Sequence, residues 1–285
     1  RRSSDLPIGA RMNFGLIIIG DEILSGKRED KHLPKVIALL AARGLALSWA
    51  RCVGDDPKRI TADLKDSFAS GDAVFSCGGI GATPDDHTRQ CAAAALGVPL
   101  ALHPEARTLI LERMRDQARE RGVPYEPDRD DNRHRLNMGV FPHGAEIIPN
   151  PYNRIPGFAI RRGGPTSAVR PGVYFVPGFP VMAWPMIEWV LDRDYAALHA
   201  APGPTEKSVI VFGAMEATLT PLMEAIESHF AGIKVFSLPS VDHPQWGRHI
   251  ELGVKGRADQ LEAAYAELRR GLAAHDAELG PEMVR

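Results

Sequence analysis

The run from Phe14 to Ile19 contains no polar side chain. It is too short to span a bilayer and too uniformly apolar for a strand with one wet face. It therefore reads as a strand buried on both faces, as in a parallel sheet covered by helices. The run ends at Gly20-Asp21-Glu22-Ile23-Leu24-Ser25-Gly26. Helical periodicity follows from His32 to Arg43, with Val36, Ile37, Leu39 and Leu40 on one face and Gly44 closing the end. Leu45 to Val53 reads as a second strand. It stops at Gly54-Asp55-Asp56-Pro57, where Asp56 caps and Pro57 opens a helix that turns Ile60, Leu64 and Phe68 inward. Gly71-Asp72 then turns into a third apolar stretch, Ala73 to Phe75. Strand and helix alternating at this spacing imply an α/β fold with a mostly parallel sheet. In such sheets ligands sit beyond the carboxyl ends of the strands.

The third strand runs into the densest stretch of the chain, Val74 to Thr88, which reads V-F-S-C-G-G-I-G-A-T-P-D-D-H-T. Glycines at a strand end let a ligand approach the backbone, and a helix start beyond them offers unpaired N–H groups to an anion. Thr83 suits the N-cap of a helix running on to Leu96, with Pro84, Asp85 and Asp86 in its first turn. Capping alone accounts for T-P-D-D but not for three glycines before it. The loop is neither a Walker loop nor a dinucleotide fingerprint. All three strand ends carry acids: Asp21 and Glu22, Asp55 and Asp56, Asp85 and Asp86. Each pair alone can be a cap or a turn. Together, beside a phosphate loop, they would repel the ligand unless a divalent cation sat between, so Mg²⁺ is expected with the ligand.

Composition narrows the partners. A net charge of −2 over 285 residues leaves no basic footprint for nucleic acid or an anionic membrane. Three widely spaced cysteines form neither a disulfide framework nor a zinc pattern, which points to a reducing cytoplasm. Cys77 borders the glycine loop, where a small residue filling a tight strand end is the favoured reading over a nucleophile. Residues 1–11 are polar and read as a flexible arm before Met12.

Farther on, Pro104 to Arg121 is helical, with Ala106, Leu109, Ile110 and Met114 inward. The polar stretch from Gly122 to Met138 reads as a solvated excursion. Short strands are expected at Ala145 to Ile148, Phe158 to Ile160 and Val173 to Val176, with a proline-rich loop from Asn150 to Gly157. Pro177-Gly178-Phe179-Pro180 precedes an apolar helix from Val181 to Leu191, whose Trp184 and Trp189 suit a core or an interface. Small residues and prolines from Ala200 to Pro204 make the best domain boundary, separating 12–199 from a small β-α-β-β-α unit at 204–285.

The segments G-D-E-I-L-S-G (Gly20 to Gly26), V-G-D-D (Val53 to Asp56) and G-G-I-G-A-T-P-D-D-H-T (Gly78 to Thr88) resemble the molybdopterin-binding domains of molybdenum-cofactor biosynthesis proteins. Within that group they are most similar to the competence/damage-inducible protein A family. N-P-Y-N-R-I-P-G-F (Asn150 to Phe158) and V-P-G-F-P (Val176 to Pro180) resemble later segments of that family. The resemblance implies a three-layer α/β/α domain, a likeness of the small C-terminal unit to the family's second domain, and a homo-oligomer, dimer or trimer. It also implies a molybdopterin or adenine-nucleotide ligand, with adenylyl transfer or cleavage of the ADP-ribose pyrophosphate as the chemistry; a binding or carrier module without turnover is the alternative. Carried over by motif, Gly78, Gly79, Gly81 and Thr83 would cradle phosphate, with Asp85 and Thr88 beside them. Asp86 and Asp55 would hold the metal or position the attacking group. Gly20, Asp21, Glu22 and Ser25 would line one side, and Pro177, Gly178 and Pro180 the pterin side. Two departures stand out. Met182 occupies a position where the family commonly has Glu, and Asp30-Lys31-His32 replaces Asp-Thr-Asn. Losing a carboxylate at 182 is expected to weaken the hold on the donor edge of a pterin and to favour a ligand held by its phosphates.

Overall fold

The computed structural model describes residues 12–163, 169–200, 206–275 and 277–284. The expected arm at 1–11 and the expected linker after Ala200 lie outside the described residues. The chain divides into two compact units, 1–200 and 201–285.

In chain order the first unit contains β1 (Phe14–Ile19), α1 (Asp21–Leu24), α2 (His32–Ala41), β2 (Leu47–Val53), α3 (Pro57–Ser70), β3 (Ala73–Cys77) and α4 (Thr88–Leu96). It continues with β4 (Leu100–Leu102), α5 (Pro104–Glu120), α6 (Asp130–Leu136), β5 (Val140–Pro142), β6 (Glu146–Ile148), β7 (Gly157–Arg161), β8 (Gly172–Val176) and α7 (Pro180–Asp194). The main sheet has the order β2-β1-β3-β8-β7-β6. The first four strands are parallel, and β7 and β6 add an antiparallel flank. Every residue of β1, β3 and β8 is buried. Their alternate side chains feed two separate cores. Leu16, Ile18, Phe75 and Tyr174 pack with Leu40 of α2 and Ile187 of α7. Ile17, Ile19, Val74 and Phe175 pack with Ile60 and Leu64 of α3 and Ala92 of α4. Each such Leu, Ile, Val or Phe contributes about 1.5–3 kcal/mol of transfer free energy. Helices on both faces of a mostly parallel sheet make the three layers.

Two sequence expectations need correction. The helix expected from Thr83 begins at Thr88, and Thr83 to Asp86 form a turn before it. Ile37 lies 48% exposed, because α2 offers the core only the stripe of Val36, Leu39 and Leu40. The polar stretch after Gly122 is mostly exposed, as expected, and contains α6, anchored by buried Asn132, whose Nδ2 donates to the Glu126 carbonyl at 2.6 Å. The β4–β5 pair joins Leu100–Leu102 to Val140–Pro142; three-residue strands carry no periodicity to read. Trp184 and Trp189 are half-buried against the first core.

The antiparallel flank is tied to α7 through a buried arginine. Arg161 on β7 has a fully buried side chain. Its Nε donates to Asp194 Oδ2 at 2.6 Å and its Nη1 to Glu146 Oε2 at 3.1 Å. Arg170 Nη2 holds the other oxygen of Glu146 at 2.6 Å. The hydroxyls of Tyr174 and Tyr195 stand 2.9 Å apart beside the Arg170 carbonyl.

The second unit contains β9 (Glu206–Phe212), α8 (Glu216–His229), β10 (Ile233–His243), β11 (Gly247–Gly256), α9 (Ala258–Ala274) and β12 (Glu278–Val284). Its sheet is antiparallel, in the order β10-β11-β9-β12. Val209, Val211, Leu252 and Val254 pack beneath Leu219, Ile226, Leu261 and Leu268. The last strand extends the expected β-α-β-β-α pattern. Glu216 does not cap α8: its Oε1 accepts from Ser237 Oγ at 2.5 Å, and Met215 holds the N-cap position.

Removing one partner of a buried ion pair strands the other charge, at about 3–5 kcal/mol. Arg161→Ala is expected to destabilise the first unit by about that amount in urea melts, because Asp194 stays buried with only the half-exposed Arg193, 3.9 Å away, as a cationic partner. Arg161→Ala paired with Asp194→Leu should recover much of the loss.

Candidate functional site

The carboxyl ends of β1, β2, β3 and β8 converge on a cavity of about 400 Å³. Its floor is the glycine loop after β3. The Gly78 N–H donates to the Val176 carbonyl at 3.0 Å, which ties the loop to the neighbouring strand. Gly78 and Gly79 both have positive φ, 111° and 68°. A Cβ at Gly78 would meet the Ile19 carbonyl, and one at Gly79 would meet Thr88 Oγ1. Thr88 opens α4 fully buried. Its N–H donates to the Gly79 carbonyl at 3.0 Å and its Oγ1 to the Gly78 carbonyl at 3.1 Å. These two glycines are therefore required by the turn itself. The space spared at Gly79 belongs to Thr88, so a bulky residue there would break the loop and not merely fill a phosphate position.

Turn chemistry, not helix capping, organises Thr83 to Asp86. Asp86 Oδ2 accepts from the Thr83 N–H at 2.8 Å and from Thr83 Oγ1 at 2.5 Å. The carboxylate thus folds back over Gly81, where a Cβ would stand 2.5 Å from it. Buried Arg89 secures the same loop, donating through Nη2 to the Gly81 carbonyl at 2.6 Å and through Nη1 to the Asn137 carbonyl.

The ends of β1 and β2 are joined by two aspartates that cap each other. The Asp21 N–H donates to Asp55 Oδ2 at 2.9 Å, and the Asp55 N–H to Asp21 Oδ1 at 3.1 Å. Burial pushes the Asp55 carboxyl above its ordinary value, against the hydrogen bond from Asp21; the charges of Asp21, Glu22 and Asp85 push it further. Asp56 plays the expected N-cap role, accepting from the Lys58 N–H at 3.0 Å.

Of the residues expected from sequence, Gly20, Glu22, Asp55, Gly78, Gly79, Gly81, Thr83, Asp85, Asp86, Pro177 and Gly178 line this cavity. Four do not. Asp21 holds Asp55, Ser25 ends α1 off the wall, and Thr88 lies under the floor. Pro180 lines an adjoining cavity of about 420 Å³ that shares Ile19, Glu22, Arg28, Gly178 and Phe179 with the first. In the wall of this second cavity, His32 Nε2 donates to the Gly178 carbonyl at 3.0 Å, and Asp30 caps α2 by accepting from the His32 and Leu33 N–H groups at 2.9 Å. The divergent Asp30-Lys31-His32 segment thus braces the Pro177–Pro180 turn. The structure adds Arg28, Met138, Asn150, Asn153, Ile155, Phe179 and Met182 to the wall. The asparagines lay in plain view in N-P-Y-N-R-I-P, but a proline-rich loop gives no sign of which side chains turn inward. Cys77 is buried, and burial pushes its thiol far above the ordinary range, so it stays protonated and inert.

Among the described residues, Glu22, Asp55, Asp85 and Asp86 face one basic lining residue, Arg28. Among the described residues no three His, Cys, Asp or Glu side chains gather closely enough to hold a metal alone. No described helix is long and apolar enough to cross a membrane.

Comparison with known proteins agrees with this architecture. A family model described as a probable molybdopterin binding domain matches residues 15–197. A CinA-like protein of Anaeromyxobacter sp. (strain K) is 33% identical over 192 residues, covering 67% of this chain and 43% of that protein. The match thus spans less than half of that relative's length. A protein of Pyrobaculum arsenaticum is 30% identical over 215 residues, 74% of each chain. The solved structure of CinA from Thermoplasma acidophilum, described as of unknown function, is 24% identical. It covers 64% of this chain and 97% of its own, with a TM-score of 0.51, which supports the shared fold.

Because the folded state prefers Asp55 protonated, the strain is absent below the ordinary carboxylate value of 3.8 and grows as pH rises through the raised one. Asp55→Asn keeps an acceptor for the Asp21 N–H and removes the charge. In ligand-free protein it should raise Tm at about pH 8, with the advantage shrinking toward about pH 4. A Tm difference independent of pH would remove Asp55 as the source of the strain.

Proposed function

The chain belongs to the family of probable molybdopterin-binding domains, and from that premise we propose that its first unit binds a phosphorylated heterocycle, a pterin or a nucleotide, together with Mg²⁺. The observation that carries this reading is the pairing of a backbone-built loop with an acidic wall at the same strand ends. A pyrophosphate beside Glu22, Asp55, Asp85 and Asp86 would be repelled without a cation. Mg²⁺ commonly uses one or two carboxylates and takes its remaining ligands from phosphates and water. The residues present fit an ion of that kind, which arrives with the ligand. Asp55 is the first candidate to hold it, since a cation would offset the burial and the neighbouring acidic charges that together raise its carboxyl. Asp86 has one oxygen committed to Thr83 and the other left for an ion. Bound there, the ion would neutralise the charge on the phosphates.

The chemistry proposed is attack at a phosphoanhydride, as adenylyl transfer or hydrolysis of the ADP-ribose pyrophosphate. This chain's part would be to hold the phosphates against the Gly78–Gly81 loop and to fix the heterocycle between the Pro177–Phe179 turn and the Asn150–Pro156 loop. Asp55 and Asp86 would hold the ion or position the attacking hydroxyl or water. A carrier that binds without turnover is the second reading. It is favoured by Met182, which offers no carboxylate beside the ring, and by the engagement of Asp86 with Thr83.

A thermal-shift panel of molybdopterin, ATP and ADP-ribose, each with and without Mg²⁺, tests the proposal. Ligand at about a hundred times Kd adds roughly 2.7 kcal/mol of stability, a shift of several degrees. The expected result is a shift with at least one ligand that needs Mg²⁺. Shifts indifferent to Mg²⁺ would dismiss the cation, and no shift with any of the three would dismiss the ligand class. Product analysis of the stabilising ligand then separates enzyme from carrier.

A further inference from the structure

The loop between β6 and β7 supplies Asn150, Asn153, Ile155 and Pro156 to the cavity wall. Its shape is set by Asn150, which is 4% exposed. Asn150 Oδ1 accepts from the Tyr152 N–H at 3.0 Å, and its Nδ2 donates to the Ile155 carbonyl at 2.9 Å and to Asn153 Oδ1 at 2.8 Å. Asn153 Oδ1 accepts a second bond from the Ile155 N–H at 3.0 Å. A carboxamide oxygen has two lone pairs, and both are taken. Flipping the amide would set its N–H groups against two donors. The Nδ2 of Asn153 is therefore held on the opposite side, where its partner is Met182 Sδ at 3.2 Å. A thioether is a weak acceptor. A donor of fixed direction thus stands in the cavity wall, engaged only by sulfur among the described residues.

The surroundings decide what that donor would meet. Met182, Ile155, Pro156 and Phe179 line the same wall, an apolar surface suited to the face of a flat ring. The phosphate loop lies at the end of β3, two strands away from β7 in the sheet. We infer that Asn153 is a specificity-determining residue whose Nδ2 donates to a ring carbonyl of the bound heterocycle. At this ring site it favours 6-oxopurines and 4-oxopteridines over the 6-aminopurine ring of adenine, so an adenine ligand of the same cavity is held mainly through its phosphates. This rests on the proposed binding of a phosphorylated heterocycle and adds the ring edge that is read. Met182 leaves ring donors unread, while Asn153 reads the acceptor.

Isothermal titration with inosine monophosphate, adenosine monophosphate and inorganic pyrophosphate, all in Mg²⁺, tests it. The two nucleotides differ at the purine 6-position and in the proton at the neighbouring ring nitrogen. Wild type should bind the inosine nucleotide about tenfold tighter, the scale of one hydrogen bond matched against one mismatched. Asn153→Asp keeps the oxygen that receives Ile155 and Asn150 and exchanges only the amide nitrogen for an acceptor. It should reverse the preference toward adenosine monophosphate and leave pyrophosphate affinity unchanged, with a melt confirming the fold. Equal affinities in wild type, or a preference that survives Asn153→Asp, would overturn the inference. So would a loss of pyrophosphate binding as large as the loss of inosine monophosphate binding, which would place Asn153 on phosphate. If neither nucleotide nor pyrophosphate binds wild type, the proposed function falls and this inference with it.

Discussion

Everything at the candidate site depends on how closely four backbone segments meet at the end of β3. The Gly78 N–H reaches across to the Val176 carbonyl of β8, and Thr88 reaches up from α4 to the carbonyls of Gly78 and Gly79. A Cβ on Gly178 would stand 3.5 Å from the Gly78 Cα, so the Pro177–Pro180 turn rests against the same glycine. His32 holds that turn from the other side. Backbone polar groups buried this tightly must be paired, and here side chains from distant parts of the chain pair them. The result is a loop whose carbonyls are tied down beneath it, with the cavity on its other side.

Against this rigid floor the chain places a costly wall. Asp21 and Asp55 accept each other's N–H groups, an arrangement that closes two strand ends but brings two carboxylates together. Burial and the neighbouring charges of Glu22 and Asp85 then make the Asp55 charge unfavourable. Natural folds tolerate such a conflict where a ligand resolves it. A cation delivered with phosphates would do so. The opposite flank, built on the Asn150–Asn153 network, is neutral and apolar around a single fixed amide. One end of the cavity thus suits charge and the other suits a ring.

The parallel core was legible because Phe14–Ile19 is buried on both faces and shows it as an unbroken apolar run. Asp56-Pro57 was legible for the same local reason, since a cap and a first helical proline declare themselves within three residues. Thr83-Pro84-Asp85-Asp86 carries that same local signature and misleads. Here Asp86 turns back onto Thr83, and only the tertiary demand of Thr88 on the glycine carbonyls fixes where α4 begins. Arg161, Asn150 and Asn153 were invisible as functional parts. Their roles come from partners on other elements or from a loop without periodicity. The acids at the three strand ends were found from sequence, but not that Asp21 serves Asp55 while Asp55 faces the cavity.

The central claim is that the acidic wall and the phosphates of the ligand are completed by one shared cation. Linkage makes this measurable, because a shared ion must strengthen ligand binding by the factor by which the ligand strengthens ion binding. The direct test is calorimetric titration of Mg²⁺ into the protein, alone and saturated with ADP-ribose, with the Mg²⁺ affinity of free ADP-ribose measured separately. The account predicts weak binding to the protein alone and binding to the complex at least about tenfold tighter than to either partner. An affinity for Mg²⁺ that is the same with and without the ligand would contradict it.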